Sequence, residues 1–141
     1  MMRVVLDTSV IVAGLRSSRG ASSALLSQLV QGKFIAVASP AIFLEYEELL
    51  KRTEHRFPMM HAENFLSELA QRIEPVQIRY LWRPLLRDAD DEMVLEAAIN
   101  GQARAIVTHN RRDFEPASSR FGIGVLSPAE FLLMLTGKEV K

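Results

Sequence analysis

Apolar residues in this chain fall into short unbroken runs, separated by longer stretches with helical spacing. Arg3–Leu6 reads RVVL, a β-branched run suited to a buried strand. Residues 10–15 begin a helix, and 21–31 place Leu25, Leu26, Leu29 and Val30 at helical spacing before Gly32 stops them. A second strand is expected at 34–38. Ser39 then caps a helix whose first position is Pro40, where a missing N–H costs nothing, and which runs through IFLEYEELLKR. A helix at 61–73 and a short strand at 76–78 follow. Residues 90–100 make a helix with acids in its first turn and Gly101 behind it. Strands are expected at 105–107 and 122–126. Ser127, Pro128 and Glu130 then form a capping box, stapled by Leu126 and Phe131, that opens a last helix ending near Gly137.

Short apolar strands alternating with helices predict a parallel sheet covered on both faces. The expected fold is therefore α/β, a three-layer α/β/α sandwich with a mainly parallel central sheet. Residues 1–137 are expected to form one domain, with 138–141 a flexible tail. In such folds the functional crevice lies beyond the carboxyl ends of the strands.

That edge collects acids. Asp7 directly follows the first strand, and Thr108, His109 and Asn110 directly follow the strand at 105–107. Asp88, Asp90, Asp91 and Glu92 cluster where the helix leading into that strand begins. Glu45 lies three residues after Ile42 and four before Leu49, at the border of a buried stripe, whereas Glu48 points away. Carboxylates held close together repel and raise one another's pKa. A hard divalent cation, Mg²⁺ or Mn²⁺, removes that conflict. It also acidifies bound water and stabilises charge on a reacting phosphodiester. The chain has no glycine-rich phosphate loop, GxSxG elbow or HExxH. Metal-assisted phosphodiester hydrolysis is the chemistry these residues favour.

Composition narrows the field further. With no cysteine among 141 residues, a disulfide scaffold, thiol nucleophile, iron–sulfur site and zinc finger are excluded. Seventeen basic and seventeen acidic side chains cancel, so any binding to a polyanion must be local. The N-terminal apolar run is broken by Asp7 and does not read as a signal peptide. No apolar stretch is long enough to span a bilayer, so no membrane association is expected and the expected setting is the cytoplasm.

In order and spacing, these blocks resemble the PIN-domain ribonucleases, which include the VapC-type toxins of bacterial toxin–antitoxin pairs. LDTSV at 6–10 resembles the family's opening strand and first acid, Asp7. FLEYEELLKR at 43–52 resembles the helix carrying the second acid, Glu45. DADDEMVLEAA at 88–98 resembles the third block, with Asp91 in register as its acid. AIVTHNRRDF at 105–114 resembles the fourth, and GVLSPAEFL the closing strand and helix. The resemblance implies a Mg²⁺- or Mn²⁺-dependent endoribonuclease, usually dimeric and often neutralised by a small antitoxin. Asp7, Glu45 and Asp91 would hold the metal with Asn110 helping, and Arg111 or Arg112 would hold the RNA backbone. Two positions depart from the family pattern. Ser9 stands where Asn is common after DT, and Asn110 where Asp is frequent, with Asp113 three residues on as a substitute.

Plainer readings stand beside these. Asp7 can cap the helix starting at Thr8; Asp88 and Asp90 read as cap and dipole partners, and Glu92 as a first-turn acid. Thr8, Ser9 and Thr108 orient a ligand or simply cap. His109 reads as an exposed loop histidine, while His55 and His61 lack metal-ligand spacing. Arg79, Tyr80, Trp82, Arg83 and Arg87 interleave bases with aromatics, as a single-stranded RNA surface or a partner interface would. Phe57, Met59 and Met60 suit packing or a dimer contact. Two other functions compete: a non-catalytic PIN-like module that binds nucleic acid or protein, and a phosphatase or receiver-type domain using Asp7. The latter lacks a second Asp two residues on.

Overall fold

A computed structural model describes residues 1–52, 57–80, 86 and 88–137. Its elements are β1 (Arg3–Leu6), α1 (Thr8–Arg16), α2 (Ala21–Val30), β2 (Ile35–Ala38), α3 (Pro40–Leu50), α4 (Met59–Arg72) and β3 (Ile73–Pro75). They continue with α5 (Ala89–Asn100), β4 (Ala105–Val107), a 3-10 turn (Arg111–Phe114), α6 (Glu115–Phe121), β5 (Gly124–Leu126) and α7 (Pro128–Thr136). The strands form one parallel sheet in the order β3-β2-β1-β4-β5. The chain walks outward from β1 to β3, then returns to the other side of β1 for β4 and β5. The order therefore reverses between β1 and β4, the point at which open α/β sheets leave a crevice.

Helices pack on both faces of the sheet. On one face α5 packs across β1, β2 and β4; on the other α2 packs against α1, α4 and α7. The centre of the sheet is consequently dry: Val4, Val5, Ile106 and Val107 are wholly buried. Phe34 and Phe131 meet edge to face with ring centroids 5.0 Å apart, joining the entry to β2 with α7. Arg3 ties the lower edge together, its Nε donating to the Gly101 carbonyl at 3.0 Å and its guanidinium pairing with Glu74 of β3 at 2.7 Å.

The three-layer expectation holds, with two local corrections. The strand expected at 76–78 lies at Ile73–Pro75, and the helix before it ends at Arg72. Pro75 biases Glu74 toward extended backbone, which stops the helix early. As a sheet edge this strand needs no apolar alternation, and Glu74 and Pro75 are exposed. The second correction is α6, which the sequence reading did not assign. Gly122, expected to open a strand, instead ends α6 in the left-handed conformation (φ 68°). His55, Trp82, Arg83, Arg87 and the tail at 138–141 lie outside the described residues.

Candidate active site

The sheet ladder runs one residue past β1 and β4. Asp7 donates its N–H to the Val107 carbonyl, and Thr108 donates to that of Leu126, each at 2.9 Å. Asp7 and Thr108 thus face each other across the switch point. Asp7 is 5% exposed. Its Oδ1 accepts the Thr8 amide at 2.9 Å, and its Oδ2 accepts both the Ser9 and the Thr108 hydroxyls at 2.8 Å. Asp7 is therefore the helix cap of the plainer reading and a carboxylate aimed by three donors at the same time. Beneath it, the fully buried Tyr46 of α3 donates its hydroxyl to the Leu6 carbonyl. Burial and the Asp7 charge raise the Tyr46 phenol above its ordinary range.

The first turn of α5 supplies the opposite wall. Asp88 caps the helix by accepting the Asp90 amide at 2.8 Å. Asp91, half-buried one residue further on, has its carboxyl pushed up to about 7. Desolvation is the largest cause, followed by the charges of Asp7, Asp88, Asp113 and Asp90. Segments far apart in sequence therefore bring their carboxylates to one place. Glu45, on α3, is also raised, first by burial and then chiefly by Asp90 and Glu48, so it borders the acids from the Asp90 side. Glu92 is not a surface acid: it is 4% exposed and its Oε1 accepts the Leu86 amide at 2.7 Å.

Between α5 and α6 opens a cavity of about 870 Å³ lined by Leu86, Asp88, Asp91, Arg112, Asp113, Glu115, Pro116 and Ser119. Among these, Arg112 is the cation beside four acids. Arg111 points elsewhere, pairing with Glu130 at 3.0 Å. Asp113 shares this wall with Asp91, whereas Asn110 is fixed through its backbone, donating to Thr108 Oγ1 at 2.9 Å. His109 bonds to Ser22 on α2. Arg79 and Tyr80 do not join the site. Asn100 accepts their amides at 2.7 and 2.8 Å, at the far end of α5.

Sequence reading missed Tyr46, Ser22 and the α6 wall. The wall alone left a local signal, Pro116 at a helix start and Gly122 just past its end. Among the described residues, no three histidine, aspartate or glutamate side chains close into a ready metal cage. Such closure is not required, since Mg²⁺ commonly binds through one or two carboxylates and keeps its waters. Hard oxygen donors gathered round Asp91, whose carboxyl is pushed up to about 7 by burial and then by their repulsion, fit a divalent cation.

The sequence profile of the PIN domain matches residues 3–112. The chain belongs to the PIN domain family. PIN domains are generally nucleases and generally use divalent metal ions. Asp7, Glu45, Asp91 and Asn110 all fall within the matched PIN domain span. Among solved structures, the chain is similar to one in the crystal structure of VapBC2 from Rickettsia felis bound to a DNA fragment from their promoter. That match has a TM-score of 0.63 and 14% identity, and covers 89% of this chain and 98% of that one. At that identity the likeness shows the fold. No curated protein matches the chain. Among the described residues no helix is long and apolar enough to cross a membrane.

Proposed function

We propose that this PIN domain is a metal-dependent endoribonuclease using Mg²⁺ or Mn²⁺, the toxin of a toxin–antitoxin pair acting in the cytoplasm. The observation that carries the reading is the meeting of Asp7 and Asp91 at the switch point, where burial first, and then the charge of Asp7 and its neighbours, raises Asp91 toward neutrality. Asp7 and Asp91 would hold the cation and Glu45 would border it, with Asn110 or Asp113 as the fourth group. When bound, the cation supplies an acidified water and a positive charge beside the scissile phosphate. Ser9 and Thr108 keep Asp7 aimed, because both donate to its Oδ2. Thr8 and Asp88 serve as auxiliary groups that fix the first turns of α1 and α5. Arg112, on the cavity wall, contacts the RNA backbone. Arg111 takes a lesser part, since Glu130 already holds its guanidinium.

A small antitoxin partner is suggested by the likeness to VapBC2, which was solved with promoter DNA. A homodimer is suggested by Leu44, Met59 and Met60, which are 61%, 56% and 74% exposed on α3 and the start of α4. The purified protein is expected to cut single-stranded RNA with Mn²⁺ and to stop on chelation. Asp7→Asn and Asp91→Asn should each lower the rate at least about 100-fold, more than loss of a ligand's supporting group costs. Their circular dichroism should stay that of the wild type. Full cleavage by either variant would remove that residue from the site. A wild type that binds RNA without cutting it would be the non-catalytic module instead.

A further inference from the structure

The loop after β4 is anchored to α2 by a bond that the proposed chemistry does not use. His109 Nε2 and Ser22 Oγ share a hydrogen bond of 2.8 Å. Ser22 is 3% exposed, whereas His109 belongs to the open loop. The imidazole thus reaches inward to a fixed point on another element.

The same loop controls Asp7. The His109 backbone N–H donates to Ser9 Oγ at 3.3 Å, and Ser9 donates its hydroxyl to Asp7 Oδ2. Thr108 donates to the same Oδ2, and its own oxygen accepts the Asn110 amide. Each carboxylate oxygen has two lone pairs. Oδ2 spends both on Ser9 and Thr108, while Oδ1 spends one on the Thr8 amide. The lone pair left on Oδ1 is the one Asp7 can offer to a ligand. Its direction follows from how the loop grips Oδ2.

We propose that His109 is a positioning residue: by holding Ser22 it fixes the loop at 108–110, and through Ser9 and Thr108 it fixes the direction in which Asp7 Oδ1 faces a divalent cation. The inference rests on the metal reading of the crevice. It gives the histidine a role that an unattached loop side chain would not have.

The test uses the full chain as Ser22→Ala, His109→Ala, the double variant and His109→Gln, whose amide can still bond to a hydroxyl. Hydrogen exchange of the His109 and Asn110 amides is followed in metal-free protein, and Mn²⁺ binding by calorimetry. Each alanine variant should speed exchange about five- to tenfold, as the loss of one net hydrogen bond allows. Each should weaken Mn²⁺ binding about three- to tenfold, less than the roughly 10–100-fold for a group touching the ligand itself. The double variant should be no worse than the worse single one, and His109→Gln should recover most of the loss. Unchanged exchange, or losses that add in the double variant, would overturn the proposal. If the wild type bound no Mn²⁺ while the alanine variants still exchanged faster, the clamp would stand and the metal reading would fail.

Discussion

Asp7 and Asp91 differ in what holds them. Asp7 is buried but receives three donors, whereas Asp91 is raised by burial and by four neighbouring acids. This gives a pH dependence of known sign. An ordinary carboxyl near 3.8, raised to about 7 in the folded chain, adds no penalty when both states are protonated. Between those values the folded state binds more protons than the unfolded one, so metal-free stability falls as pH rises from about 4 to about 7. Asp91→Asn should therefore raise the melting temperature at pH 8 and leave it nearly unchanged at pH 4. Saturating Mn²⁺ should abolish the advantage at pH 8. Thermal melts showing the same shift at both pH values would contradict this. At this scale the sequence was readable where a residue's place follows from its own strand, as for Asp7. It was not readable for Glu92, because the helix that carries it is buried on several sides. Glu92, Val94, Leu95, Glu96, Ala97 and Ala98 of α5 are all buried, so an acid in the first turn need not face water.

Elements whose ends carry explicit caps were readable closely. Ser39 and Ser127 cap α3 and α7 as expected, and the Ser127–Glu130 capping box is present in both directions. Less readable were β3, whose pairing depends on a neighbour, and the purpose of Gly101. Expected as a helix stop, Gly101 has right-handed backbone and needs no glycine for its φ. It is required by close approach. A Cβ there would lie 2.8 Å from the Ala97 carbonyl oxygen and 2.9 Å from Val76 Cγ2. Gly101→Ala should thus destabilise the fold by about 1–3 kcal/mol through overpacking. Ser127→Ala should cost about 1 kcal/mol through the lost cap. Urea denaturation of both variants checks the order, and Gly101→Ala as stable as the wild type would contradict the packing.

The whole chain carries no net charge, yet Asp7, Asp88, Asp90, Asp91 and Asp113 converge at one edge of the sheet. Sequence patterning reached this far because the central strands β1, β2 and β4 are short, apolar and largely covered, so their carboxyl ends can be counted directly. It did not fix which acids meet, since that depends on the reversal of strand order between β1 and β4. Nor did it separate Arg79 and Tyr80 from the site. Asn100 holds them at the far end of a helix about 18 Å long. The proposed homodimer should give twice the chain mass in light scattering at high protein concentration, and Met60→Glu should shift it toward the monomer. A monomer mass for the wild type would remove the dimer.

Calorimetric titration of the metal-free protein with Mn²⁺ at pH 7 tests most directly whether the acids at the β1–β4 switch point hold a cation. One ion per chain should bind, releasing protons as Asp91 ionises, and Asp91→Asn should weaken binding at least about 100-fold. Absence of binding to the wild type, or equal affinity in Asp91→Asn, would contradict a cation held by these carboxylates.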